Sequence, residues 1–519
     1  MQKIALPIVA ISAAMLLTNC FQQDCSKFFE GINPTTSCFK PQSEHNPIAI
    51  QRFGADPYAM EYNGRVYVYM TNDVLEYDEI GFVKENSYQT INKIFCVSSD
   101  DMVNWTDHGA MPIAGPEGAA KWAQFSWAPT ACHKTIDGKE KFFLYFANSG
   151  NGIGVVTSDT PYGPWTDPIG GPLVSRETPT CAEVTWLFDP AILVDDNGDG
   201  YLYVGGGVPE VKGKPQFADP GTARVVKLDE SFVALDGKPV TIRPPYLFED
   251  AGANKIGDTY YYSYCTNFNS PELGNGCIAY MTSKKPMGPF TFQRVFFKNP
   301  ETFFGVGGNN HHAIIKFNDR YYLFYHAQTL QTALGISGGY RSTHVDEVNI
   351  DENGVIQDVT GTLTGVDQIK NLDPFQTVEA ETMAWTGFSE CDHSSLITTE
   401  YADSTNNLVV KTQAGDWIGL SKVDFADGAT TFTARITESV PTAAIKICLD
   451  SINGKCIGYV PAPISHNENI SISVEINGKE FKPAENTSKI QLTEKVTSVH
   501  DLFFIFSDYM AFDSWSFGK

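Results

Sequence analysis

The sequence predicts an all-β protein built as a five-bladed β-propeller followed by a separate all-β domain. Short apolar runs alternate with Gly, Asn and Asp turns from about residue 46, and long helical periodicity is hard to find. This pattern is typical of strands joined by tight turns. The 519 residues, 42% of them hydrophobic, allow more than one domain.

A repeat of about 60 residues predicts the propeller. Five segments share one design, in which a Gly or Asp turn precedes an aromatic-rich strand. The aromatic markers are Tyr67, Phe142, Tyr201, Tyr260 and Tyr321, separated by 75, 59, 59 and 61 residues. Four strands fit each period, and repeated four-stranded units are typical of propeller blades. We therefore expect five blades within residues 46–365.

Acidic residues recur at one place in this repeat. Asp56, Asp189 and Glu249 precede their markers by 11, 12 and 11 residues, and His311 precedes the fifth marker by 10. Innermost strands surround the axis of a propeller, so these side chains are expected to converge in one pocket. An Asp before a Pro is also ordinary in a turn. Three acids flanked by apolar residues favour a functional site, because buried carboxylates are costly unless paired or used.

Two carboxyl groups on either side of a sugar suffice for glycoside hydrolysis. Several segments in order resemble motifs of glycoside hydrolase family 43 over about residues 46–365: "GADPYAMEYNGRVYVYMTND", "FDPAILVDDNGDGYLY", "FEDAGANKIGDTYYYSYCTN", "NNHHAIIKFNDRYYLFYHAQ" and "GYRSTHVDEV". The resemblance implies hydrolysis with inversion on a five-bladed propeller. It also implies that Asp56 is the general base, Asp189 tunes and orients the acid, and Glu249 is the general acid. Asp250 is the rival for the acid role.

The resemblance also suggests residues around these acids. His311 matches a family His near the axis that helps to hold calcium, with His312 as the competing assignment and a buried hydrogen-bonded His as the alternative. Arg341 resembles an Arg beside the catalytic pocket, although a structural salt bridge is the alternative. Aromatic residues that could stack on a sugar, or simply belong to the core, are Phe125, Trp127 and Trp186.

Residues 372–519 resemble carbohydrate-binding module family 6, a β-sandwich of jelly-roll type. The similar segments include "VEAET", "AGDWIGLSKVDFADGATTFTARI" and "FDSWSF". By motif, Glu379, Glu381 and Asp513 are expected to hold a structural calcium ion, for which oxygen ligands are suitable. "LVVKTQAGDW" lacks the aromatic residue that many members carry, so weak binding, another binding face and a purely structural role stay open; Trp417 is expected in the core.

The N-terminus predicts export. Residues 1–20 read as a signal peptide whose last four residues, Leu-Thr-Asn-Cys, resemble a bacterial lipobox. We expect acylation of Cys20, a tether over residues 21–45, and either a cell-envelope lipoprotein or a secreted protein whose only membrane contact is the lipid anchor. Ten other cysteines favour disulfides, with the local pairs Cys25/Cys38, Cys265/Cys277 and Cys448/Cys456.

Together these features predict an enzyme acting on hemicellulose. The formal charge of −24 argues against a nucleic-acid partner, which needs a basic face. We expect a monomeric α-L-arabinofuranosidase that trims arabinoxylan. β-Xylosidase and endo-arabinanase are the alternatives on the same scaffold, and a non-catalytic glycan-binding propeller is the alternative of another class.

Overall fold

The computed structural model describes residues 24–34, 40–387, 398–401, 408–463, 474–476, 479–481 and 486–519. Almost all of its regular structure is β-strand, because the apolar runs are short and bounded by turns. The described helices are a 3-10 helix and two short α-helices: Cys25–Phe29, α1 (Glu301–Phe304) and α2 (Thr329–Ala333). The predicted signal segment and Cys20 lie outside the described residues.

Five antiparallel sheets follow one another along the chain, as the repeat predicts. Blade 1 consists of β1 (Ala55–Tyr62), β2 (Arg65–Thr71), β3 (Lys93–Ser99) and β4 (Trp105–Pro112). Blade 2 consists of β5 (Trp127–Ile136), β6 (Lys139–Ala147), β7 (Gly152–Ser158) and β8 (Val174–Ser175). Blade 3 contains β9 (Ala191–Val194), β10 (Gly200–Val204), a small hairpin of β11 (Glu210–Val211) and β12 (Lys214–Pro215), then β13 (Ala223–Leu228) and β14 (Leu235–Ile242).

The last two blades differ in their strand number. Blade 4 has four strands: β15 (Leu247–Ile256), β16 (Thr259–Thr266), β17 (Ile278–Ser283) and β18 (Thr291–Phe297). Blade 5 has three in the described chain, fewer than the four predicted: β19 (His312–Phe317), β20 (Arg320–Ala327) and β21 (Ser342–Val348). After β21 the chain forms isolated β-bridges. In one of them, Val359 pairs with Phe297 of blade 4.

Residues ahead of β1 close the ring against blade 5. The backbone N–H of Ile48 donates to Thr343 O at 2.9 Å. The side chain of the buried Asn46 donates to Val345 O and accepts from Val345 N–H, both at 2.9 Å. First and last blades are thereby joined, which closes the ring of the propeller.

The C-terminal domain is a sandwich of two antiparallel sheets around an apolar core. Its strands are β22 (Val378–Glu379), β23 (Thr382–Met383), β24 (Trp385–Gly387), β25 (Thr398–Tyr401), β26 (Leu408–Thr412), β27 (Trp417–Asp424), β28 (Ala429–Ser439), β29 (Ala444–Leu449), β30 (Lys455–Pro461), β31 (Val474–Ile476), β32 (Lys479–Phe481), β33 (Thr487–Val496), β34 (Val499–Phe506) and β35 (Met510–Gly518). Trp417 is buried and its ring lies 5.7 Å from that of Phe503, so its assignment to the core is confirmed.

The sandwich is joined directly to the propeller. Strand β23 pairs with β4, so blade 1 gains a fifth strand from the C-terminal domain. Asn104 both donates to Ser421 O at 3.0 Å and accepts from Ser421 N–H at 2.8 Å. One hydrophobic cluster contains Leu330 and Tyr340 of the propeller together with sandwich residues such as Ile418. The two domains therefore share a core.

The described cysteines are all free thiols, so neither the Cys265/Cys277 nor the Cys448/Cys456 bridge is formed in the structure. Cys265 instead pairs in register with Ile278, one residue beyond Cys277. Cys448 and Cys456 are register partners on β29 and β30, next to a bulge, so their proximity was predicted correctly. Cys38 lies outside the described residues.

Within the described ranges, none of the helices is both long and apolar enough to cross a membrane.

Candidate active site

Four blades carry a residue with left-handed backbone in or just before the innermost strand. The φ angles are 48° at Asp56, 42° at Ala128, 47° at Asp189 and 68° at Asp250. Strand pairing is irregular at this point in blades 1, 2 and 4. A non-glycine residue there is strained, and such strain is typical of functional sites. In blade 4 the equivalent of Asp56 is therefore Asp250, and Glu249 precedes it.

Asp56 is held as a carboxylate. Its Oδ1 accepts from Arg341 Nη1 at 2.8 Å, and its Oδ2 accepts from the Thr71 hydroxyl at 2.7 Å. Arg341 is fixed by Asp73, which accepts from its Nε at 2.9 Å and its Nη2 at 2.8 Å. Burial alone would raise the pKa of Asp56, but Arg341 and then His326 outweigh burial and hold this pKa well below its usual range.

Glu249 has the opposite electrostatic environment. Burial, followed by repulsion from Asp189 and Asp56, raises the pKa of Glu249 well above its usual range. Its Oε1 is buried and has no hydrogen-bond partner among the described residues. Burial and then the charge of Asp56 likewise raise the pKa of Asp189. The surroundings thus favour the ionised form of Asp56 and the protonated form of Glu249 in one cavity, as general acid–base chemistry requires.

Asp250 lies behind the cavity. It is fully buried, and its carboxylate accepts from His312 N–H at 3.0 Å and contacts His312 Nδ1 at 2.5 Å. The backbone N–H of Asp250 donates to Asp189 Oδ2 at 2.9 Å. Asp250 therefore positions Asp189 and His312, while Glu249 faces the cavity.

His311 lies among the acids. Its Nδ1 is 3.6 Å from Asp56 Oδ1 and 3.8 Å from Asp189 Oδ2, and its Nε2 is 3.3 Å from Asp250 Oδ1. His311 lines the cavity, whereas His312 is directed at Asp250 and Ser263. The residue that faces the axis is therefore His311.

A cavity of about 460 Å³ opens in front of the acids. Its wall is rich in aromatic rings, which suit the apolar faces of a sugar. The described lining residues are Asp56, Tyr88, Trp127, Ser149, Gly150, Trp186, Phe188, Asp189, Phe248, Glu249, Phe268, Asn309, His311 and Arg341. Trp127, Trp186 and Arg341 therefore line the cavity, and their contact with a sugar stays a prediction.

Phe125 is not among the residues that line the cavity, which corrects its prediction as a sugar-stacking residue. Its side chain is 9% exposed, and its ring lies 5.2 Å from the Trp127 ring, so it supports Trp127 from behind. Sequence reasoning missed Tyr88, Phe248, Phe268 and Asn309. Phe248 is next to Glu249, so strand position could have identified it. Tyr88 and Phe268 lie in connections without a repeat pattern.

The three acids predicted to hold calcium lie at the start and end of the sandwich. Glu381 and Asp513 are buried, and Oε1 of Glu381 has no hydrogen-bond partner among the described residues. Burial and then Asp513 raise the pKa of Glu379, and burial is the main cause of the raised pKa of Glu381. Such mutual repulsion fits a cation. However, no group of three His, Cys, Asp or Glu side chains in the described chain is already arranged around a metal position.

An aromatic-lined cavity with two oppositely perturbed carboxyl groups, on a five-bladed propeller, is the arrangement expected of a glycoside hydrolase. The family model described as "Glycosyl hydrolases family 43" matches residues 45–356, and the one described as "Carbohydrate binding module (family 6)" matches residues 379–519. The chain belongs to glycosyl hydrolase family 43, and its C-terminal sandwich is a family 6 carbohydrate-binding module.

Similar proteins align with more than nine-tenths of this chain. The arabinoxylan arabinofuranohydrolase of Bacillus subtilis (strain 168) is 46% identical over 93% of this chain and 94% of its own. An arabinoxylan arabinofuranohydrolase of Paenibacillus polymyxa is 44% identical over 91% of this chain and 74% of its own. A crystal structure of the family 43 arabinoxylan arabinofuranohydrolase from Bacillus subtilis, in complex with cellotetraose, has a TM-score of 0.85 and covers 93% of this chain and 99% of its own, at 45% identity.

Proposed function

We propose that this protein is an inverting α-L-arabinofuranosidase that removes arabinose side chains from arabinoxylan. The observation that carries the proposal is the opposite perturbation of Asp56 and Glu249 in one cavity. The surroundings favour the ionised form of one carboxyl group and the protonated form of the other, which is the pairing that glycoside hydrolysis needs. Two relatives align with this protein over most of both chains. Both are named arabinoxylan arabinofuranohydrolase, which supports the choice of substrate.

Each acid has one role in the proposed reaction. Asp56 accepts a proton from a water molecule as the water oxygen bonds to the anomeric carbon. Glu249 donates its proton to the glycosidic oxygen as the bond to that carbon breaks, so the leaving chain departs as an alcohol. Asp189 tunes and orients this acid, since its repulsion adds to burial in raising the pKa of Glu249. Attack from the face opposite to the leaving group inverts the anomeric configuration.

The experiment is to incubate the full-length enzyme with wheat arabinoxylan and follow the products by proton NMR. We expect free arabinose whose first-formed anomer is β, with the xylan main chain intact. Release of xylose as the main product would favour β-xylosidase, and shortening of arabinan would favour endo-arabinanase. Retained configuration would contradict the assigned roles, and no turnover of any of these glycans would favour a non-catalytic glycan-binding protein.

We further propose that calcium binds the sandwich through Glu379, Glu381 and Asp513. The buried, unpartnered Oε1 of Glu381 supports this proposal. A cation would relieve the repulsion among the three acids and join the first and last strands of the domain. The calcium site suggested at His311 stays a prediction from sequence.

Removing calcium is expected to lower the unfolding temperature of the sandwich by about 5 to 10 °C, for an ion present at about 100 times its Kd. Differential scanning calorimetry with EGTA, and then with added calcium, measures this. Glu381→Gln should abolish the response to EGTA. Glu494→Gln, which only removes a surface ion pair with Lys455, should leave it unchanged. Equal responses in all three proteins would contradict the site.

We also propose that the protein acts as a monomer tethered by a lipid on Cys20, because the N-terminal sequence has a lipobox-like end. In a bacterial host, Cys20→Ala is expected to move the protein from the membrane fraction to the soluble fraction and to abolish labelling by a clickable palmitate analogue. Cys25→Ala is the matched control and should stay labelled. Light scattering of the soluble variant measures its mass. Unlabelled wild-type protein would exclude the anchor.

A further inference from the structure

The connection between the second and third strands of blade 1 is longer than its counterparts. It spans residues 72–92, against 148–151, 205–222, 267–277 and 328–341 in the following blades. Connections of this type lie on the cavity side, because Ser149, Phe268 and Arg341 line the cavity from three of them. The blade 1 connection contributes Tyr88.

The backbone of Tyr88 is fixed in an unfavourable conformation. Its φ is 60°, a left-handed value that is strained for an aromatic residue. Its N–H donates to Asn86 Oδ1 at 3.0 Å, and the N–H of the buried Asn86 donates to Gly338 O at 2.8 Å. The connection is thereby joined to the segment that carries Arg341. Strain maintained by such contacts indicates that the place of this ring matters.

The same connection is supported from behind by a fully buried tyrosine. The Tyr340 hydroxyl donates to Lys84 O at 3.0 Å and accepts from Glu76 N–H at 2.8 Å. Tyr340 belongs to the hydrophobic cluster that includes the sandwich core. The loop that carries Tyr88 is therefore anchored at two points.

The ring of Tyr88 closes the cavity wall between two groups of the site. The guanidinium carbon of Arg341 lies 5.1 Å from the ring centre, and the Trp127 ring meets it edge-on at 6.1 Å. Part of the ring is thus in contact with the Arg341 guanidinium, the cation that binds Asp56. The ring is only half-buried, and its remaining surface faces the cavity.

We propose that Tyr88 is a specificity-determining residue that contacts the sugar ring to be released and limits the width of the cavity beside the base. The inference rests on the proposed function, since it assigns the contact to an arabinofuranosyl ring. It adds a residue supplied by a blade 1 connection rather than by the strands that carry the acids. The contact is one of shape, so the aromatic ring matters more than its hydroxyl.

Tyr88→Ala, Tyr88→Phe and Phe82→Ala in the full-length protein test this role. The substrate is an aryl α-L-arabinofuranoside, with kcat and KM determined separately, and L-arabinose is the competitive inhibitor. Tyr88→Ala is expected to raise KM and the inhibition constant of arabinose about tenfold, with kcat within about threefold of wild type. Tyr88→Phe should keep KM and the inhibition constant of arabinose at their wild-type values. Phe82, in the same connection and 69% exposed, is the matched control that should change neither.

The kinetic pattern separates the alternatives. A lower kcat at unchanged KM would mean that Tyr88 acts only by holding Arg341, and it would overturn the proposal. Unchanged constants in Tyr88→Ala, or equal changes in Phe82→Ala, would also overturn it. Thermal unfolding of each variant distinguishes a local change from loss of the fold. Wild-type protein without arabinofuranosidase activity would instead refute the proposed function.

Discussion

Glu249→Gln is expected to lower kcat on arabinoxylan by about 10²- to 10⁴-fold, because the variant cannot protonate the leaving oxygen. Glutamine is nearly isosteric with a protonated glutamic acid, so the fold and KM should change little. A substrate with a very acidic leaving group, such as a 2,4-dinitrophenyl arabinofuranoside, departs without protonation. The loss on that substrate should therefore be much smaller than the loss on arabinoxylan.

The pH profile gives a second measure of this role. Since burial and the charges of Asp189 and Asp56 raise the pKa of Glu249, the enzyme keeps its acid protonated above the pH at which an ordinary glutamate ionises. Activity should fall as pH rises through the raised value, and this basic limb of kcat/KM should vanish in Glu249→Gln. A greater loss in Asp250→Asn than in Glu249→Gln would contradict the assignment of the acid.

The repeat in the sequence predicted the position of the site, because residues at equivalent positions in the blades of a propeller lie close together around its axis. Asp56 and Asp189 have similar offsets from the aromatic marker, 11 and 12 residues, and both have a left-handed backbone. The Pro that follows each of them also follows Ala128, which has the same backbone conformation in blade 2. A shared X-Pro position was therefore a readable signal of the inner strand entrance.

In blade 4, the position of a residue in the repeat does not by itself predict the direction of its side chain. Only Glu249 of the neighbours Glu249 and Asp250 lines the cavity, but strict alternation along a regular strand does not explain this, because strand pairing shifts on both sides of Glu249 and Asp250 adopts a left-handed conformation. A bulge of this kind changes the direction of side chains without changing the apolar pattern. The resemblance to family motifs gave the assignment that the offset alone did not.

The partners of the acids could not be read from the sequence for a different reason. Asp73 and Arg341 form a double hydrogen bond although the chain separates them by 268 residues. Thr71 accepts from the N–H of Ala128 at 2.7 Å and donates to Asp56, so one hydroxyl connects two blades. Such contacts depend on how strand ends meet around the axis, and no local pattern encodes them.

Asp56→Asn is expected to reduce kcat by about 10²- to 10⁴-fold, since the amide of asparagine cannot take the proton of the attacking water. Asparagine can still accept a hydrogen bond from Arg341 or Thr71, so the cavity should keep its shape. Sodium azide tests the role directly, because azide is a nucleophile that needs no base. We expect azide to restore part of the activity by forming β-L-arabinofuranosyl azide, the inverted product, which proton NMR identifies.

The control for this experiment is Asp73→Asn. Asp73 binds Arg341 but does not line the cavity, so its variant should lose less activity and gain nothing from azide. Its acid limb of kcat/KM should move to higher pH, because a displaced Arg341 no longer holds the pKa of Asp56 so far below its usual range. Azide rescue with retained configuration, or equal rescue of both variants, would exclude Asp56 as the base. Both aspartates contribute to the ion pair with Arg341. Azide rescue that occurs only in Asp56→Asn would therefore identify Asp56 as the proton acceptor and Asp73 as a residue that only orients Arg341.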